Sequence, residues 1–73
     1  MQEHTIALIE QLVALRKNKG LSQRQLAAVS GISYVVIARL ESKKQSPNIE
    51  TLNKLLDALD ARLTIEEIPK EQG

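Results

Sequence analysis

Seventy-three residues with no cysteine, a single histidine and a formal net charge of +1 make one small domain. They exclude a disulfide framework and a thiolate metal site. One tyrosine is the sole aromatic residue, so the core must be aliphatic and the stacking platforms of single-strand nucleic-acid binders are missing. No apolar run approaches the roughly 18–20 residues that span a bilayer. The opening MQEHTIALIEQL carries Glu3 and Glu10 and lacks a basic n-region, so a cytoplasmic protein is expected.

Residues of about 3 to 18 predict a helix, because Ile6, Ile9, Leu12, Val13 and Leu15, with Leu8, recur at steps of three and four. Arg16, Lys17 and Lys19 sit in its last turn, where cations favour the helix dipole, and Gly20 ends it. Ser22 then caps a helix of about 23 to 29, with Gln25 placed to complete a capping box. Ser30-Gly31 makes a turn, and Ser33 caps a helix of about 34 to 41. The polar SKKQSP loop leads to Asn48, the cap of a helix of about 49 to 59. On that helix Ile49, Leu52, Leu55, Leu56 and Leu59 share one side.

After Ala61 the period changes. Leu63 and Ile65 alternate with Arg62, Thr64 and Glu66, and Ile68 follows. That pattern predicts a strand. A lone strand leaves half its backbone groups unpaired, and the economical partner is the same strand of a second copy across a two-fold axis. A short final helix, or a disordered tail with apolar residues docked on the body, are the alternatives. The division expected is 1–60 for the helical domain, 61–68 for a dimerisation strand built on Leu63, Ile65 and Ile68, and 69–73 for a disordered tail.

Charge is unevenly spread. From Arg16 to Gln45 the chain holds seven bases against one acid, Glu41, a net +6. The remainder holds three bases against eight acids, a net −5. A polyanion is drawn to the first stretch and repelled by the rest.

The same stretch contains QRQLAAVSGISYVVIARL, Gln23 to Leu40, which has the pattern of a helix-turn-helix. Ala27 is small enough for two helices to cross closely. Gly31 adopts a positive φ without a Cβ penalty and turns the chain in few residues. Ile37 and Leu40 bury one face of the second helix and leave the other free to enter a DNA groove. That free face consists of Tyr34, Val35, Ala38 and Arg39, the candidate base contacts. Arg39 can bond guanine O6 and N7 together, and Val35 can touch a thymine methyl. Lys43, Lys44 and Gln45 follow as phosphate clamps, with Arg24 a lesser candidate. Ser33 could offer its hydroxyl to a phosphate as well as to its helix.

These residues resemble the Cro and phage-repressor family of helix-turn-helix proteins, often called XRE-like. The signatures are LRKNKGLSQRQLA, SGIS, IARLE and SPNIETLNKLLDAL, covering about Leu12 to Leu59. The resemblance implies an all-α, compact four-helix bundle containing a helix-turn-helix, binding double-stranded DNA as a dimer. It implies a phosphate contact for Gln23 and a structural ion pair between Arg16 and Glu41. In the place of the family's fifth helix stands LDARLTIEEIP, which is similar to small regulators and antitoxins whose C-terminal strands pair between subunits. A homodimer and a toxin partner follow as expectations. Tyr-Val-Val departs from the polar residues common at the start of the family's recognition helix.

The function predicted is a sequence-specific transcriptional regulator, a repressor or the antitoxin of a toxin–antitoxin pair. The alternative is a protein-interaction adaptor presenting Tyr34, Val35 and Val36. No catalytic or metal-binding constellation is present: His4 has no second histidine and no cysteine to join it. No enzyme activity, cofactor, metal or small molecule is expected.

Overall fold

A computed structural model describes residues 1–65 and 67–69. Among these residues there are four helices: α1, Glu3–Asn18; α2, Gln23–Ser30; α3, Tyr34–Glu41; and α4, Ile49–Ala58. Their limits fall within a residue of the sequence expectation because each end carries a chemical signal. At α2 the Ser22 hydroxyl accepts from the Gln25 amide at 3.0 Å, and the Gln25 side chain accepts from the Ser22 amide at 2.7 Å. Ser33 accepts from the Val36 amide at α3, and Asn48 from the Thr51 amide at α4.

All four helices end on a left-handed residue, three of them in the same way. Gly20 follows α1 at φ +73°, Lys43 follows α3 at φ +64°, and Asp60 follows α4 at φ +56°. In each case the next amide reaches back to satisfy an orphan carbonyl: Leu21 to Arg16, Lys44 to Arg39 and Ala61 to Leu56. Only the first of these sites is a glycine. Gly31, at φ +76°, makes the tight turn between α2 and α3.

The core gathers Leu12 from α1, Leu26 from α2, Ile37 and Leu40 from α3, and Leu52, Leu55, Leu56 and Leu59 from α4 and its end. α2 packs on both α3 and α4, while α1 packs on α3. α3 is thus held from behind by two helices. Among the described residues no buried side-chain nitrogen or oxygen lacks a hydrogen-bond partner.

Two expectations need correction. Ile49 lies 67% exposed instead of joining the inner side of α4. It shares the angular stripe of Leu52 and Leu56, but as the first helical residue it projects past the groups that cover them. Ala38, placed on the outer stripe of α3, is half-buried. After α4 none of the described residues lies in a helix or a strand. One chain alone offers its alternating segment no edge to pair with. Leu63 is half-buried against the core, whereas Ile65 and Ile68 are open to solvent. Glu66 and residues 70–73, which include most of the expected disordered tail, lie outside the described residues.

Candidate nucleic-acid interface

The outward side of the molecule is organised by α3. Ile37 and Leu40, each 1% exposed, fix its inner face in the core. The helical period then turns Tyr34, Val35 and Arg39 to solvent. Val35 is fully presented at 60% exposure and Tyr34 partly so. Val36 is half-buried beside them.

The flanks of this ridge come from the other elements. Ser33 is exposed at the N-terminal end of α3. Its oxygen accepts the Val36 amide, which leaves the hydroxyl proton free to donate. Lys43 and Lys44 are exposed at the other end, with Gln45 half-buried behind them. Lys43 reaches Glu10 of α1 at 3.5 Å, an exposed pair that adds little to stability.

Gln23 and Arg24 open α2. Gln23 is half-buried, and its amide nitrogen donates to Glu41 Oε1 at 2.9 Å. An amide nitrogen carries two protons, so a second remains for another acceptor. Glu41 also receives Arg16 through Nε at 2.7 Å and through a terminal guanidinium nitrogen at 2.8 Å. The other terminal nitrogen of Arg16 donates to the Leu21 carbonyl at 2.8 Å. Glu41, the one acid within the basic stretch, is therefore engaged by Arg16 and Gln23, and it ties α1, α2 and α3 together.

Arg24 does something the sequence reading missed. Its guanidinium carbon lies 4.3 Å from the centroid of the Tyr34 ring, within cation–π distance. The two residues are ten apart in the chain, and only the helix-turn-helix geometry brings the start of α2 over the start of α3. Neither periodicity nor a motif marks that contact. Among the described residues there is no cluster of His, Cys, Asp or Glu fit to hold a metal, and no helix is long and apolar enough to cross a membrane.

Two short capped helices joined at a left-handed glycine, the second exposing one face and burying the other, define a helix-turn-helix protein. The model of the HTH_3 helix-turn-helix family matches residues 12–65, and the chain belongs to that family. It is 43% identical over 60 residues to an uncharacterized HTH-type transcriptional regulator of Haemophilus influenzae, covering 82% of this chain and 61% of that protein. It is 34% identical to the antitoxin HigA1 of Mycobacterium tuberculosis, covering 92% of this chain and 50% of the relative. Among solved structures, a toxin–antitoxin module from Streptococcus pneumoniae superposes with a TM-score of 0.74 at 36% identity, over 92% of this chain and 74% of that one. The chain thus spans between half and two thirds of the length of these two curated relatives.

Proposed function

We propose that this chain is a sequence-specific, double-stranded DNA-binding transcriptional regulator that inserts α3 into the major groove. The carrying observation is the ridge of Tyr34, Val35 and Arg39, exposed on a helix whose opposite face is locked in the core. Ala38 would lie along the wall of that ridge, close enough for a base edge to pack on its methyl group. Gln23, Arg24, Ser33, Lys43, Lys44 and Gln45 surround the ridge and would take phosphates, with the dipole of α2 favouring an anion near Gln23. Arg16 and Glu41 would set the angle between helices without touching DNA.

Repression by occupying promoter DNA in the cytoplasm is the action proposed, in a homodimer that reads two half-sites. The names of the relatives support a regulator, and the antitoxin among them supports a toxin as a protein partner. No enzymatic role is proposed. Pairing of residues 61–68 between copies would supply the dimer contact, since Ile65 and Ile68 are apolar side chains left in solvent.

The test is selection of bound duplexes from genomic fragments, followed by titration in rising salt. A specific site should emerge, with affinity falling steeply as salt displaces the phosphate contacts. Arg39→Ala should relax preference at one position, and Lys44→Ala should weaken all sequences alike while lowering the salt slope by about one. A protein that retains no duplex at low salt would overturn the proposal in favour of an adaptor role.

A further inference from the structure

The first three residues of α3, Tyr-Val-Val, bring a single polar atom to the end of the helix that enters a groove most deeply. Such an end can discriminate a methyl group but has almost no hydrogen-bond code for bases. Arg24 lies beside that end, over the Tyr34 ring, and carries a forked donor. It is exposed, and among the described residues no carboxylate lies within ion-pair distance of it. Three bases of the positive stretch have acidic partners: Arg16 holds Glu41, Lys19 reaches Asp60, and Lys43 reaches Glu10, whereas Lys17, Arg39 and Lys44 share with Arg24 the lack of one among the described residues. Arg24 alone among them lies over an aromatic ring, its guanidinium carbon 4.3 Å from the Tyr34 centroid.

A guanidinium laid parallel on such a ring keeps its in-plane N–H fork unobstructed, and a 4.3 Å separation suits that arrangement. It also restricts a long side chain that otherwise loses rotamer freedom on binding. A fork so held, at the leading end of the reading helix, matches the paired acceptors O6 and N7 of guanine.

We infer that Arg24, stacked on Tyr34, is a specificity-determining residue that reads a guanine in each half-site, with the ring as its platform. This rests on the DNA-binding reading above and deepens it: the first helix of the motif contributes base recognition as well as a phosphate contact. Val35 lies next to Tyr34 and would face the adjoining base.

The full-length chain is tested with three variants, each first checked for helix content by circular dichroism. Arg24→Lys keeps the charge and removes the fork. Tyr34→Leu removes the platform, and Tyr34→Phe keeps it. Duplexes selected from a random library should show a guanine preferred about tenfold or more by the wild type and by Tyr34→Phe. Arg24→Lys and Tyr34→Leu should lose that preference at the one position and keep the others. Replacing that guanine with 7-deazaguanine should weaken the wild type and leave Arg24→Lys indifferent. The inference is overturned if Arg24→Lys retains the wild-type preference, or if Arg24→Lys weakens all duplexes to the same extent. Either result marks a phosphate contact and leaves the DNA-binding reading standing. Absence of duplex binding by the wild type would remove that reading and this inference with it.

Discussion

Arg16 and Glu41 join the last turn of α1 to the last turn of α3 through two parallel hydrogen bonds of 2.7 and 2.8 Å, with both side chains more than nine-tenths buried. A forked pair of this kind fixes orientation better than a point-charge contact. Removing one partner leaves the other charge buried without compensation. Arg16→Met should therefore cost about 3–5 kcal/mol of stability. The double variant Arg16→Met/Glu41→Leu should recover much of that loss, because an apolar pair of similar volume avoids the desolvation cost. Urea denaturation of the three proteins checks both expectations. A double variant no more stable than Arg16→Met would show that the pair is worth more than its geometry.

Glycine 31 and lysine 43 test the same backbone conformation from opposite directions. A Cβ at Gly31 would meet nothing within 4 Å, so the cost of Gly31→Ala comes from its φ of +76° alone. That cost should be about 1–2 kcal/mol. Gly31→Asn should cost less, since asparagine visits the left-handed region more readily. Lys43 already bears the penalty at φ +64°. Lys43→Gly should raise stability by up to about 1 kcal/mol in thermal denaturation while weakening duplex binding at low salt. The two readouts moving together would refute either the strain or the phosphate contact.

The helices were legible because each end is chemical. Ser22 with Gln25, Ser33, Asn48, Gly20 and Gly31 are local signals that need no partner elsewhere in the chain. Burial was legible where a side chain lies mid-helix, as for Leu26, Ile37 and Leu55. It failed at Ile49, because a period gives an angle around the axis and says nothing of how far the covering body extends along it. The left-handed ends at Lys43 and Asp60 carry no glycine to announce them. The Arg24–Tyr34 stack and the Gln23–Glu41 hydrogen bond are tertiary, formed between elements whose mutual placement the sequence pattern leaves open. The alternation in residues 61–68 is plain to read, but periodicity carries no information on a pairing partner.

Two isoleucines separate position from composition. Ile37 is 1% exposed and belongs to the core, so Ile37→Ala should cost about 2–5 kcal/mol. A domain of this size has roughly 4–11 kcal/mol in total, and the variant should lose a large share of its cooperative transition at growth temperature. Ile49→Ala, at a site 67% exposed, should shift stability by about 0.5 kcal/mol or less. Chemical denaturation midpoints compare them directly. A comparable loss at both sites would mean that Ile49 is covered in the working protein, by a partner or a second copy.

Assembly through the C-terminal segment is tested most cleanly at the residues that the single chain leaves bare. Ile65 is 99% exposed and Ile68 is 82% exposed, so placing charges there perturbs nothing within one protomer. Leu63 differs: it lies against the core and helps line an apolar hollow with Leu8, Leu12, Leu15 and Leu56. Truncation after Asp60 therefore removes packing as well as any strand pairing, and its effects on assembly and on stability are mixed. Ile65→Lys/Ile68→Lys keeps Leu63 and separates them. If copies pair along this segment, like charges brought together on an apolar seam oppose association. The double-lysine variant should sediment as a monomer at concentrations where the wild type is dimeric, with an unchanged thermal midpoint for the monomeric fold. Its affinity for a duplex with two half-sites should fall toward that for a single half-site, since the linked second binding event is lost. A double-lysine variant that remains dimeric would show that the copies meet elsewhere.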